Sequence, residues 1–476
     1  KDVQQVGRTK FGSTLGIGCV CAGTKVWTSN GRLVNIEDLK QEDGIIGYDG
    51  KKAVQQTINW FKEPAIKPCY RITTEGNNII ECSEDHPFIS SSRATKSSFK
   101  GKKNILKGSY KEAKNLSVGD YLVVIDDVPV FGDVFQDNAY LTGLMLGDGY
   151  FKGSSLSVDD NNVKSYIESN YGTSIRKQFI TKTGSTYTDL YIKGCKKDLF
   201  HESLIGLTRD KKRLPSNIHE YNKESLSLIL AGIFDADGNV NVSTKGTRVV
   251  LTNISENLLK DVKYQLLKFG IHCSIYKENR NTKPSPGYEG QMDHIFRLYI
   301  SKNLDVKKFK DNIPIKHSKK IESLSKFIHG NRDFGTANIV FKHTGECEDE
   351  KYLQHDELLE NCKIQRIKSI EFIGNKEIYN LNVSDNHNYI CGMFITGNTG
   401  GDMEKVGSSR RLFENPEIYQ CLSFDDTFEN TGKKIGMFIP AYLGNNDFKD
   451  ERGITDIDEG LQWYEDNRRK LILNHG

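Results

Sequence analysis

The chain has 476 residues, 37% hydrophobic and 27% charged, with a formal net charge of +3. That size suits roughly two to four domains of about 100–200 residues each. No apolar run reaches the ~18 residues of a membrane span, the opening KDVQQVGRTKFG has no signal core, and ten cysteines without a CxxC pair argue against a zinc ribbon.

A cytoplasmic protein with mostly buried thiols is therefore expected. Charge is uneven along the chain. Residues 131–330 carry 30 Lys+Arg against 22 Asp+Glu, whereas residues 399–476 carry 10 against 15. A basic middle is either an ordinary solvated surface or a surface for a polyanion.

In chain order, residues 19–125 read as β. Short strands such as TKVWT, KPCYRITT, NNIIECS and DYLVVI are separated by the turn signals SNGR, YDGKK, TEGNN and SVGD. The pattern changes near 137. NAYLTGLMLGDGYF is an apolar helical run ending at Asp148-Gly149, and SLSLILAGIFDADGNV repeats it, ending at Asp237-Gly238. Polar, β-branched sequence follows each. The second copy continues into an amphipathic helix, SENLLKDVKYQLLKFG, with a glycine stop at Gly270. This is an internal repeat of α/β units. From 362 to 398 the β pattern returns in KIQRIKSIEFIG, EIYNLNV and NYICGMFITGN. A β domain split by an inserted α/β pair is expected, and the last 78 residues start anew.

Gly143 and Gly147 lie four apart on one helix, and Gly232 and Ala236 four apart on the other. Small residues at that spacing let two helix backbones approach. If the helices cross there, Asp148 and Asp237 meet at the end of the pair. Close carboxylates repel unless a divalent cation offsets them. Mg²⁺ favours oxygen ligands, and carboxylates plus metal suit phosphodiester hydrolysis. The competing reading is that each Asp-Gly only caps its helix.

LTGLMLGDG (141–149) and LAGIFDADG (230–238) resemble the paired signature of LAGLIDADG homing endonucleases; in the first, Leu146-Gly147 replaces Asp-Ala. The resemblance implies that Asp148 and Asp237 are metal-binding catalytic acids. It implies a catalytic lysine in KKRLP (211–215), best fitted by Lys212, where a solvated basic loop is the alternative. It also implies two αββαββα halves forming a saddle on double-stranded DNA, with phosphate contacts from Lys and Arg.

CVCAGTKVWTSNGRLVNIEDLKQEDGIIGYDG (19–50) resembles the opening block of inteins, which have the HINT fold. ECSEDHPFI (81–89) resembles their second block, with Ser83-Glu84-Asp85-His86 for Thr-x-x-His, and EIYNLNVSDNHNYICGMFITGN (377–398) resembles the closing blocks. The resemblance implies autocatalytic splicing without a cofactor. A Cys19 thiol would attack the Gly18 carbonyl to give a thioester. His86, with a pKa near the working pH, would protonate the departing nitrogen, and Ser83 would help hold the scissile peptide. The Thr399 hydroxyl would take over the acyl group, and Asn398 would cyclise, assisted by His387. Cys21 reads as core. Gly397 stands where most inteins have His, and Asn380 where Asp is common; both point to slow or conditional splicing. Gly397 enters the site by permitting a backbone geometry that favours Asn398 attack.

Joining KFGSTLGIG to TGGDMEKVGSSRRLFENPEIY gives a stretch resembling the motor domain of phage terminase large subunits, although no GxxxxGK[ST] occurs. The expected plan has five parts. Residues 1–18 are a terminase-like flank. Residues 19–128 are the first part of an all-β, horseshoe-like HINT domain. Residues 129–335 are an α+β LAGLIDADG endonuclease. Residues 336–398 are a linker and the closing part of HINT, and residues 399–476 are the second flank. A monomer acting on the intein-less host gene is expected. Two alternatives stay open: a HINT protein that only cleaves at its ends, and a DNA-binding regulator with an inactive nuclease.

Overall fold

The computed structural model describes residues 19–91, 97–99, 102–180, 186–193, 199–279, 294–328, 338–341, 357–383, 388–397, 422–425 and 434–438. Two units divide the chain: Thr9–Thr399, and Lys1–Arg8 with Gly400–Gly476.

Thr9–Thr399 opens with eleven strands: β1 (Val20–Cys21), β2 (Lys25–Trp27), β3 (Leu33–Asn35), β4 (Ile45–Tyr48), β5 (Ala53–Gln56), β6 (Ile58–Thr74), β7 (Ile79–Ser83), β8 (Pro87–Ser91), β9 (Ser97–Phe99), β10 (Lys102–Glu112) and β11 (Tyr121–Ile125). The turn stretches SNGR, YDGKK and SVGD place Gly31, Gly50 and Gly119 at positive φ, where a side chain is strained. Trp27, Tyr48 and Phe88 point into one apolar core with strands from the far end of the unit.

The middle contains two similar halves. The first runs α1 (Ala139–Gly147), β12 (Gly149–Tyr150), β13 (Ser155–Val158), α2 (Asn161–Asn170), β14 (Thr173–Ile180) and β15 (Thr186–Ile192). The second runs α3 (Lys223–Asp237), β16 (Gly238–Ser243), β17 (Gly246–Asn253), α4 (Glu256–Leu267), β18 (Ser274–Asn279), β19 (His294–Ile300), α5 (Asn303–Asn312) and α6 (Ser318–Ser325). Their sheets have matching orders, β12-β13-β15-β14 and β16-β17-β19-β18. Side-chain caps start the helices: Asp160 accepts from two amides at α2, Asn222 from Ser225 at α3, and Ser255 from Leu258 at α4. The expected αββαββα pattern is met in the second half. In the first half, residues 199–222 form only short 3₁₀ turns. Gly206 at φ +85 and Pro215 break any helix there.

β20 (Asn338–Phe341), β21 (Glu357–Leu359), β22 (Cys362–Val383), β23 (Asn388–Cys391) and β24 (Phe394–Gly397) then rejoin the opening strands in one 14-stranded sheet system. The two short strands expected between 362 and 383 are one 22-residue strand, β22. Gly374 marks a register irregularity in it and does not end it. β22 pairs with β6 over nearly its whole length and with β11 at its start. The repeat docks on this sheet through buried charge. Asp126 accepts from Lys363 at 2.7 Å and Lys308 at 3.0 Å, and Lys363 also meets Asp305 at 3.0 Å. Burial would raise the Asp126 carboxyl, but His272 and Lys363 outweigh it and hold it well below the usual range.

In Gly400–Gly476 the described residues form a hairpin of β25 (Leu422–Asp425) and β26 (Lys434–Phe438). No helix among the described residues is long and apolar enough to cross a membrane.

Candidate active sites

The first site lies where β1 enters the sheet. Val20 is in register with Cys82 on β7 and with Tyr379 on β22. This places Cys19, buried, beside Ser83 at the end of β7. The Cys19 amide donates to Ser83 Oγ at 3.0 Å, and the Ser83 amide donates to the Cys19 carbonyl at 3.0 Å. A tight turn carries the chain from Ser83 to His86, whose amide donates to the Ser83 carbonyl at 3.1 Å. The His86 ring is fully buried and packs edge-on against Phe88.

Burial pulls the His86 pKa down to about 4, against the smaller opposing effects of Asp85 and the Cys19 backbone. This corrects the expectation of a pKa near the working pH: a charged imidazolium loses its hydration there. At neutral pH the ring is neutral and offers one N–H donor. The Cys19 backbone is near enough to act on its charge. Cys21 is buried with Cys19 and Cys69 in a small cluster, and burial pushes its thiol well up, as a core residue requires.

The other end of the segment returns to the same turn. Thr396 on β24 is in register with Phe88 on β8, and Gly397 pairs with Asn388 on β23. The Asn388 side chain accepts from the Tyr48 amide at 2.7 Å and donates to the Tyr48 carbonyl at 2.8 Å, locking this hairpin to β4. Asn380 is buried on β22. His387, Asn398 and Thr399 lie outside the described residues.

The second site lies where α1 and α3 end. A Cβ on Gly143 would lie 2.1 Å from the Ile229 carbonyl oxygen, and one on Gly232 would lie 2.3 Å from that of Tyr140. The backbones touch at these glycines, so the helix ends converge. Asp148 and Asp237 come close enough there for the Asp148 charge to act on Asp237. Burial raises both carboxyls, and the neighbouring Asp148 helps lift Asp237 to about 7. Lys212 is buried and donates to the carbonyls of Met145 and Gly147 at the end of α1. Burial lowers its pKa, while Asp237 and Asp148 oppose that fall.

Three residues here were missed in the sequence. Lys320 on α6 donates to the Phe234 and Asp235 carbonyls, at 2.9 and 2.5 Å, at the end of α3. It stands to α3 as Lys212 stands to α1, and both complement the negative end of a helix dipole. Continuing the repeat beyond α3 would have found it. Asn253 donates to Asp237 Oδ2 at 2.6 Å, with its own oxygen held by the Ser255 amide. Asp235 sits in the second motif where Leu146 sits in the first. Its carboxylate accepts from Tyr140 Oη at 2.7 Å and from the Lys316 and His317 amides, so it ties elements together.

A cavity of about 690 Å³ opens on Asp237, Lys212, Asn253 and Gly149. Among the described residues no three His, Cys, Asp or Glu side chains converge as a metal cluster. The pair does fit one hard cation that keeps most of its waters, since two buried carboxyls beside a cavity would lose their mutual repulsion to it. The outer strands present polar side chains, mixed on β14 with exposed Ile175, Phe179 and Ile180. Ser174–Ile180 on β14 is exposed, including Arg176 and Lys177, and Asn239, Asn241 and Ser243 alternate outward on β16.

Residues 224–314 match the LAGLIDADG-like domain. This LAGLIDADG-like stretch covers α3 to α5. Among curated proteins the chain is 27% identical over 330 residues to an ATP-dependent DNA helicase, Hel308, of Methanocaldococcus jannaschii, covering 67% of this chain and 26% of that protein. It is 24% identical over 315 residues to the ribonucleoside-diphosphate reductase NrdEB subunit alpha of Bacillus subtilis, covering 59% and 27%. It is 24% identical over 539 residues to the tRNA-splicing ligase RtcB of Pyrococcus abyssi, covering 95% and 56%. The chain thus spans about a quarter of the first two relatives. Similar solved structures include the N-terminal LAGLIDADG domain of DUF199/WhiA, at TM-score 0.25 and 14% identity, covering 40% of this chain and 89% of that one. The TvoVMA intein is another, at TM-score 0.19 and 20% identity, covering 23% and 71%.

Proposed function

We propose that residues 19–398 are an intein that excises itself by protein splicing and carries a homing endonuclease. The observation that carries this reading is the strand register. Val20 pairs with Cys82 and Thr396 pairs with Phe88, so both ends of the segment flank the Ser83–His86 turn. A cut-and-join reaction needs its two junctions in one place. The curated relatives add support. A helicase, a reductase subunit and a ligase share no activity in their names, so an element lodged in different hosts accounts for the likeness better than a common enzyme.

In this reading the Cys19 sulfur bonds to the Gly18 carbonyl carbon, the C–N bond breaks, and the thiol proton ends on the freed Cys19 amine, with His86 carrying it. The Thr399 oxygen then displaces the sulfur. The Asn398 side-chain nitrogen attacks its own carbonyl, releasing the Thr399 amine, which takes the acyl group from oxygen. The test is intact mass over time from 53.9 kDa. A 380-residue segment and a 96-residue joined flank are expected. Cys19→Ala should abolish ligation and leave C-terminal cleavage. A ligated flank from Cys19→Ala would refute this mechanism.

For the LAGLIDADG-like part, Asp148 and Asp237 would hold Mg²⁺, which supplies Lewis-acid stabilisation of a phosphodiester under attack. Lys212 would place positive charge beside the scissile phosphate. The exposed strands of both sheets would lie against double-stranded DNA at the uninterrupted host gene, which the resemblance of the flanks makes a phage terminase large-subunit gene. A plasmid carrying the joined host sequence tests this. Cutting with Mg²⁺, lost with EDTA and in Asp237→Asn while salt-sensitive binding persists, is expected. Tight binding without cutting would favour the regulator reading.

A further inference from the structure

The Ser83 hydroxyl has one proton and two lone pairs. Three groups compete for them. Asp85 Oδ1 lies 2.5 Å from Ser83 Oγ, the Cys19 carbonyl oxygen lies 3.3 Å away, and the Cys19 amide donates to the hydroxyl at 3.0 Å. An ionised carboxylate accepts only, and a charge-assisted bond is the stronger. The proton therefore goes to Asp85, and a lone pair is left facing the Cys19 N–H. Behind Asp85, Lys67 Nζ sits 2.6 Å from the other carboxylate oxygen. Burial would raise the Asp85 carboxyl, but Lys67 and Ser83 outweigh it and hold it below its usual range. Lys67 and Asp85 are both partly exposed, so a surface ion pair adds little stability here.

We infer that Lys67 and Asp85 are positioning residues for the first bond cleavage, acting through Ser83 on the Cys19 nitrogen. This rests on the splicing reading above. That nitrogen is a neutral amide at the start and must leave as an amine, gaining the proton that the Cys19 thiol gives up. An acceptor backed by a carboxylate holds the amide plane in place. It also stabilises the positive charge that grows on nitrogen as the C–N bond breaks, a gain larger in the transition state than in the ground state. The Ser83 amide, donating to the Cys19 carbonyl, fixes the other side of the residue. The remaining titratable groups acting electrostatically with Asp85 are His86, Cys69, Cys82 and Lys114.

The experiment uses the full chain with Asn398→Ala and Thr399→Ala, which stops the later steps. Release of residues 1–18 by dithiothreitol, followed by intact mass, reads thioester formation. If this parent chain releases nothing, the splicing reading fails, and the positioning claim fails with it. If it reacts, Asp85→Asn should slow release roughly 10–100-fold, in the range of a lost transition-state hydrogen bond, and Asp85→Glu should restore part of the rate. Asp85→Asn added to Ser83→Ala should cost nothing further. Lys67→Met should shift the acid limb of the rate profile to higher pH, because the carboxylate loses its cation. Parent-like release by Asp85→Asn, fully multiplicative effects of Ser83→Ala and Asp85→Asn, or an unshifted acid limb in Lys67→Met would each overturn the assignment. Thermal melts of each variant separate slow chemistry from loss of fold.

Discussion

Asp148 and Asp237 come together where two helices touch: a Cβ on Gly147, the residue before Asp148, would lie 3.5 Å from the Asp237 carboxyl carbon. Burial raises both carboxyls, so the metal-free pair holds a proton at a pH where exposed aspartates have lost theirs. Burial and the Asp148 charge lift Asp237 to about 7. The folded state binds more protons than the unfolded chain between pH ~4 and ~7. Its stability is greatest below that window and falls as pH rises through it. Thermal melts without metal should show a loss on the order of 4 kcal/mol across the window, which Asp237→Asn should largely remove. Mg²⁺ should restore the loss in the parent chain at pH 7.5 and leave Asp237→Asn unmoved. A pH-independent melting temperature in the parent would count against the raised Asp237 carboxyl.

Lys212 and Lys320 cap the two helices in matching ways. Either lysine replaced by methionine should lower plasmid cleavage roughly 10–1000-fold, the range of a lost electrostatic contact at a reacting phosphate. DNA binding measured by filter retention should change much less. If only Lys212→Met is impaired, the two half-sites are not equivalent, and nicking of one strand should accumulate.

Gly232→Ala places a methyl 2.3 Å from the Tyr140 carbonyl oxygen and 2.7 Å from the Leu144 nitrogen, both backbone atoms. The helices must separate to accept it. A loss of about 1–3 kcal/mol is expected from overpacking, together with loss of cleavage as the carboxylates move apart. Gly172→Ala is the control, since its Cβ would meet only the Lys193 side chain at 3.6 Å. Equal melting temperatures for the two variants would show that the close approach is not needed.

His86 is held neutral by burial, with its pKa at about 4. An unfolded histidine takes a proton near pH ~6.5. The unfolded chain thus binds more protons between ~6.5 and ~4, so this residue's contribution to stability falls as pH falls through that window. His86→Gln should flatten acid destabilisation there, as read by urea titrations at stepped pH. Thioester formation in the parent should show no histidine inflection between pH 5.5 and 7.5. An inflection near 6.5 would mean that the ring is charged before it acts.

What the sequence determined by itself was local. Glycines at turns and the small-residue stripes of α1 and α3 depend on neighbours within a few residues, and they are legible because backbone sterics and helical periodicity act over that range. The convergence of Asp148 and Asp237 was readable for the same reason: each acid follows directly on its stripe. The tertiary structure decided what depends on register. β22 runs unbroken past Gly374 because β6 supplies a partner along its length, and no property of residues 362–383 alone states that. Lys320 reaches the end of α3 from a helix more than eighty residues on, as Lys67 on β6 reaches Asp85 from the strand that pairs with β7. Burial of one sheet face against one core selects these pairings. A one-residue slip would turn every such side chain away from its partner.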